Sequence, residues 1–136
     1  APVVASRSPF VTRLLPAFRL GLGGRFGSGR QWWPWISLSD VVGIVSHVIR
    51  HQDVRGPVNV VSPEILTNRQ FAATLGRVLG RPAFIPLVSP VLQTLMGDVA
   101  RDMLLSSQRA VPLRLLSSGY QFRFPILEAA LRYALD

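Results

Sequence analysis

The sequence predicts an α/β fold, on three observations. Helix-like and strand-like stretches alternate along the chain, the pattern from which layered α/β domains are built. Two helix starts carry explicit caps, Ser8-Pro9 and the Thr67-Asn68-Arg69-Gln70 box. The 136 residues are 49% hydrophobic and only 16% charged, which excludes a disordered tail and suffices for one ordinary domain.

In chain order, Val3-Val4 reads as the end of a strand. Ser8-Pro9 opens a helix whose apolar residues Phe10, Val11, Leu14, Leu15 and Phe18 recur at helical spacing, with Pro16 expected to kink or shorten it. Residues 21–29 hold 5 of the 11 glycines and must be a loop. Gln31 to Ile36, with all three tryptophans, reads as a strand interrupted at Pro34. Ser39 or Asp40 is expected to cap a helix with Val41, Val42, Ile44, Val45, Val48 and Ile49 on its buried stripe. Gly43, Ser46, His47 and Arg50 form the opposite face. Val58 to Val61 reads as a short buried strand. The Thr67 box starts a helix carrying Phe71, Ala72, Leu75, Val78 and Leu79, ended by Gly80 with Pro82 behind it. A strand over 83–88, a helical region to about Leu105, a short helix over 112–118 and a strand over 120–124 follow. Pro125 starts a last helix with Leu127, Leu131, Ala134 and Leu135 on one face. A soft boundary near residues 86–90 divides the chain into 1–85 and 86–136.

Counting removes much chemistry. Without cysteine there is no disulfide, thiolate nucleophile or Cys-metal site. The net charge of +8 comes from 15 arginines and no lysine, so Schiff-base, phosphate-loop and Tyr–Lys chemistry are absent from these residues. The arginines are spread along the chain and no DNA-reading motif accompanies them, so nucleic acid is not the expected partner. No stretch of about 18 apolar residues exists to span a membrane, and no signal peptide is legible. A mean hydropathy of +0.32 is high for a small soluble domain. With a start at Ala1-Pro2, it suggests a piece of a larger body whose apolar excess covers a surface contributed from elsewhere.

The glycine loop fails the Gly-x-Gly-x-x-Gly dinucleotide pattern in both registers, with Phe26 or Trp32 at the sixth position. It has phosphate-loop spacing from Gly24 to Gly29, but Arg30-Gln31 stands where Lys-Ser/Thr is needed. It reads either as a flexible surface connection or as a substrate loop with Arg30 offering a bidentate guanidinium to an anion. His47 and His51 have the spacing of a zinc pair without a third ligand, and read as solvated surface histidines. Asp40 fits a helix cap, with acid/base work as the alternative. Asn59 either ties down a loop or faces a ligand. The tryptophans fit a core, with stacking on a sugar or base as the rival. Asp98 and Asp102 fit an ordinary solvated helix face.

Residues 21–36 (Gly-Leu-Gly-Gly-Arg-Phe-Gly-Ser-Gly-Arg-Gln-Trp-Trp-Pro-Trp-Ile) followed by Ser-Leu-Ser-Asp resemble the second half of NAD(P)-dependent epimerases of the extended or atypical short-chain dehydrogenase/reductase class. The bacterial family labelled nucleoside-diphosphate-sugar epimerase, or SulA-like, is the nearest in pattern. The likeness continues through 56–63, 67–71, 79–83, 104–112 and 115–125, where it is similar to the domain of unknown function that closes that family. It implies the C-terminal part of a Rossmann-like epimerase fold over 1–85, the family's C-terminal domain over 86–136, and a small α+β substrate lobe formed largely by residues 83–124. The nucleotide-binding half and its Tyr-x-x-x-Lys are absent. Tyr120 is followed four on by Phe124, so no catalytic residue carries over. The family usually has His where this chain has Ser37.

By that resemblance the loop through Trp33 and the strand bearing Asn59 line a substrate cleft at the carboxyl ends of the strands, with Arg30, Gln31, Trp33 and Asn59 as substrate contacts. NAD or NADP serves the full-length family member, and none is expected on this segment alone. The expected partners are a small-molecule substrate and either the N-terminal Rossmann half or a second copy, through exposed apolar surface. The expected location is cytoplasmic. The rival reading is a stand-alone, non-enzymatic binding or protein-interaction module.

Overall fold

The computed structural model describes residues 3–5, 8–51, 54, 56, 58–86, 94 and 109–135. Its elements are β1 (Val3–Val4), α1 (Pro9–Arg19), β2 (Ile36–Ser37), α2 (Leu38–Arg50), α3 (Asn68–Leu79), α4 (Leu113–Ser117) and α5 (Leu127–Leu135). β1 and β2 pair in parallel, Val3 opposite Ile36 and Val4 opposite Ser37. Successive strand residues face opposite ways, and the core divides accordingly. Val4 and Trp35 join Leu14 and Phe18 of α1, Phe71, Ala72 and Leu75 of α3, and Leu127, Ala130, Leu131 and Ala134 of α5. Val3 and Ile36 join Ile44 of α2 and Leu115 of α4, with Tyr120 and Phe122 packed against them. The layers are helices, a two-stranded parallel sheet and helices, the α/β arrangement expected.

Local chemistry explains the helix ends. Ser8 accepts the Val11 N–H at 3.2 Å and starts α1. α1 runs three residues beyond Pro16 to Arg19, so the proline does not end it. Both halves of the α3 capping box form: Gln70 N–H to Thr67 Oγ1 at 3.3 Å, and Thr67 N–H to Gln70 Oε1 at 2.8 Å. Gly80 ends α3 with φ of 67°, the left-handed conformation that glycine adopts without penalty. α5 starts where Glu64 Oε1 accepts the Leu127 N–H at 3.0 Å, two residues after Pro125.

Four expected strands are corrected. Of 31–36 only Ile36 lies in a strand, continuing to Ser37. Pro34 has no N–H to donate, and the Trp33 N–H goes to Leu66 O at 2.8 Å, on the approach to α3. Residues 58–61 form no strand: Val61 is buried while Asn59 and Val60 are exposed, and Ser62 N–H bonds Trp35 O, just before β2, at 2.8 Å. Residues 83–86 are irregular, and 87–88 lie outside the described residues. Residues 120–124 make no ladder because the Arg123 and Phe124 N–H groups bond to a carboxylate, Asp40. The helix expected to about Leu105, and Asp98 and Asp102 with it, lies outside the described residues apart from Thr94, which is helical.

α2 also departs from expectation. Its cap is Ser37, not Ser39 or Asp40; Ser37 Oγ accepts the Asp40 N–H at 3.1 Å. Ile44 is buried as expected, but Val42, Val45 and Ile49 are exposed. Gly43 and His47 face the protein instead, against Tyr120. The helix has apolar residues on two sides, and the sequence does not say which side this chain covers.

Candidate functional site

In α/β sheets ligands bind outside the carboxyl ends of the strands. There, Val4 and Ala5 at the end of β1 and Ser37 at the end of β2 line a cleft of about 370 Å³. Leu38 and Ser39 of α2 form a second wall, and Phe124 with Ala130, Tyr133 and Ala134 of α5 a third. The residues come from both ends of the chain because α5 packs against α3 and β1.

Asp40 organises this region. It is fully buried, and its carboxylate accepts from Tyr120 Oη at 2.7 Å, Ser37 Oγ at 2.8 Å, Arg123 N–H at 2.8 Å and Phe124 N–H at 3.0 Å. Burial pushes its pKa up, but the hydrogen bonds from Tyr120, Arg123, Phe124 and Ser37 prevail and hold it below the ordinary carboxylate value. Burial and the neighbouring Asp40 charge both raise the Tyr120 phenol, so it stays protonated. Asp40 therefore holds residues 120–124 onto the start of α2, rather than serving as an exposed acid or base.

Arg123 projects from that segment. Its guanidinium carbon stands 5.1 Å from the Phe124 ring centroid and 5.0 Å from that of Tyr133. The two rings are themselves 4.9 Å apart, and both line the cleft. Arg123 makes no ion pair among the described residues, whereas Arg77 is held by Glu128 at 2.6 Å.

The residues singled out from sequence are distributed differently. Trp33 is buried in the core, edge-on to Phe26 at 5.5 Å and to Phe71 at 4.5 Å. Gln31 is buried and donates from Nε2 to Phe26 O at 3.1 Å. Asn59 is exposed and donates from Nδ2 to Val111 O at 3.2 Å, so it ties down a neighbouring segment. Arg30 is exposed, on a loop that is not a loose connection. Phe26 is buried, its N–H reaches Asn68 Oδ1 at 2.6 Å, and the Asn68 and Arg69 N–H groups bond Gln31 O and Gly29 O, each at 2.9 Å. Gly24 approaches the Ile85 backbone so closely that a Cβ would not fit. Trp32 lies under Arg109 at 5.2 Å.

The histidines are not simply solvated. His47 is half-buried, with Nε2 2.9 Å from Ser118 Oγ, and stacks on His51 with ring centroids 4.0 Å apart. Groups of three or more metal-ligating side chains are absent among the described residues. Reading the sequence missed Arg123 and Tyr133, and gave Phe124 only as a strand residue. The Arg-Phe pair followed by Tyr133 nine residues later was the one available signal, and it carries no periodicity or motif.

Comparison with known proteins adds the relationship. The family described as domain of unknown function DUF1731 matches residues 89–134. The human epimerase family protein SDR39U1 is 51% identical over 119 residues, which are 88% of this chain and 40% of that protein. The epimerase family protein ML0860 of Mycobacterium leprae is 38% identical over 132 residues, 97% of this chain and 43% of that protein. The crystal structure of human SDR39U1 (isoform 2) with NADPH superposes at a TM-score of 0.89 and 44% identity, over 98% of this chain and 45% of that one. A nucleoside-diphosphate sugar epimerase from Corynebacterium glutamicum superposes at 0.62 and 28% identity, over 90% of this chain and 23% of that one. This chain thus spans less than half the length of these relatives. Members of the family occur in animals as well as bacteria. With the α/β layers and the DUF1731 match together, the chain is similar to the C-terminal part of these epimerase family proteins.

Proposed function

We propose that the chain is the substrate-side part of an NAD(P)-dependent epimerase or oxidoreductase, acting on a sugar nucleotide or a related carbonyl or hydroxyl centre, and inactive by itself. The observation that carries the reading is the match, over nearly the whole chain, to less than half of a structure solved with NADPH. The cofactor and the acid/base residues then belong to the N-terminal Rossmann half, and this segment alone holds no NAD(P). Its contribution is the cleft beyond β1 and β2, with Arg30 as the exposed substrate contact on the glycine loop. Trp33 and Gln31 set the shape of that loop from beneath, and Asn59 steadies residue 111. The docking surface for the Rossmann half is the exposed apolar face of α2, Leu38, Val42, Val45 and Ile49. Among the described residues no helix is long and apolar enough to cross a membrane; we place the protein in the cytoplasm.

The test is reconstitution. The chain is mixed with the N-terminal part of the human relative, and NADPH fluorescence is followed. The complex is expected to bind NADPH and the isolated chain not to. NADPH binding or turnover by the isolated chain would overturn the reading, as would failure of the two parts to associate, which would favour a stand-alone interaction module.

A further inference from the structure

We propose that the cleft beyond β1 and β2 binds a small, hydroxyl-bearing molecule with an anionic oxygen group, and that Arg123 is the residue that holds the anion. This deepens the substrate-side reading above and rests on it.

Three observations converge. A cleft of about 370 Å³ is within the range of sites that enclose a small ligand. Its walls mix the apolar side chains of Val4, Ala5 and Ala134 with Ser39 and with the start of α2, where the Leu38 and Ser39 N–H groups have no carbonyl to meet within the helix and the Asp40 N–H is capped by Ser37 Oγ. Polar donors set in an apolar frame suit hydroxyls and anionic oxygens better than a hydrocarbon.

The second observation is the state of Arg123. A guanidinium stacked on aromatic faces keeps the N–H groups in its own plane available, and a planar fork of donors fits carboxylate or phosphate oxygens two at a time. Here the two faces are Phe124 and Tyr133, both of them walls of the cleft, so the exposed guanidinium stands beside the cleft, against two of its walls, and not among its lining residues. The third is that the Arg123 backbone is held while its guanidinium makes no ion pair among the described residues. Its backbone N–H is held by Asp40 Oδ1 at 2.8 Å, so its position is set by the buried hub. The Asp40 carboxylate already takes four donors, and none of them is the Arg123 guanidinium.

The experiment is an amide-resolved NMR titration of the 136-residue chain with three six-carbon polyhydroxy probes: glucose 6-phosphate, gluconate and glucose. The anions are expected to shift the Ser39, Phe124 and Ala134 amides at concentrations at least tenfold lower than glucose does. A tighter fit for glucose 6-phosphate identifies a phosphate ester as the ligand class, and a tighter fit for gluconate a carboxylate. Arg123→Gln keeps the backbone bond to Asp40, so the fold is retained, and is expected to weaken anion binding at least tenfold. Arg77→Gln, on the α3–α5 face, is expected to leave it unchanged. Equal binding of glucose and the anions would overturn the proposal, as would an Arg123→Gln chain that binds like the parent, or shifts confined to residues 27–30. Because neither NADPH nor the Rossmann half is present, a failed reconstitution leaves this site standing. Unmoved amides would remove the site and leave the family reading intact.

Discussion

Asp40 shows how far one residue's role can lie from its sequence neighbourhood. At the start of a helix an aspartate is ordinarily a cap, and its position gives no hint of the donors that arrive from residues 120, 123 and 124. Because its pKa is held down in the folded chain, the associated stability is fully present above the ordinary value of 3.8 and is lost as pH falls through the lower folded value. Urea titrations at a series of pH values should therefore show an acid limb below about pH 4, which Asp40→Asn flattens. At neutral pH the same substitution puts an amide NH₂ against donors in a buried site. It should cost about 2–3 kcal/mol, the range for breaking hydrogen bonds to a buried charged group. An unchanged urea midpoint at neutral pH would show that the hub contributes nothing to stability.

Elements differ in how openly the sequence declares them. α1, α3 and α5 were legible because their signals are local: a Ser-Pro start, a capping box, a terminal glycine, and apolar spacing that matches what is buried. The two-residue strands and the irregular 58–61 and 120–124 segments were not, since what decides them is a partner far along the chain. The glycine loop was legible as a loop but not as a packed one, because the bonds that fix it come from the first residues of α3. Arg30 was therefore legible as an exposed loop residue, whereas the Arg123 cluster was invisible. Within α2, Gly43 makes the same point in energetic terms. Replacing an interior helical glycine with alanine ordinarily gains about 1 kcal/mol, yet here the new Cβ would stand 2.5 Å from Tyr120 Oη. Tyr120 cannot retreat without giving up Asp40. Gly43→Ala should thus destabilise the chain by about 1–3 kcal/mol, the range for overpacking, visible as a lower midpoint in thermal melting. Prior replacement of Tyr120 by Phe should return part of that loss, since it removes the colliding oxygen.

At the scale of the molecule, part of the surplus of apolar residues has a definite address. Leu38, Val42, Val45 and Ile49 recur at helical spacing on α2 and are 50–74% exposed, while the opposite side of the same helix is packed against Tyr120 and β2. Scattered exposed leucines and valines are ordinary, but a continuous stripe along one helix marks a surface made to be covered. In the reading proposed above, the cover is the part of these longer relatives that this chain does not match. In isolation the stripe should drive self-association, and the net charge of +8 opposes it through repulsion that salt screens. Sedimentation of the 136-residue chain should therefore show oligomers that grow as salt is raised. The double substitution Val42→Glu and Ile49→Glu should keep the chain monomeric at every salt concentration with little change in melting temperature, because neither side chain is buried. It should also abolish association with the N-terminal part of the human relative. A double variant that still joins that partner would move the docking surface off α2. One that melts well below the parent would show that the stripe is buried within this chain.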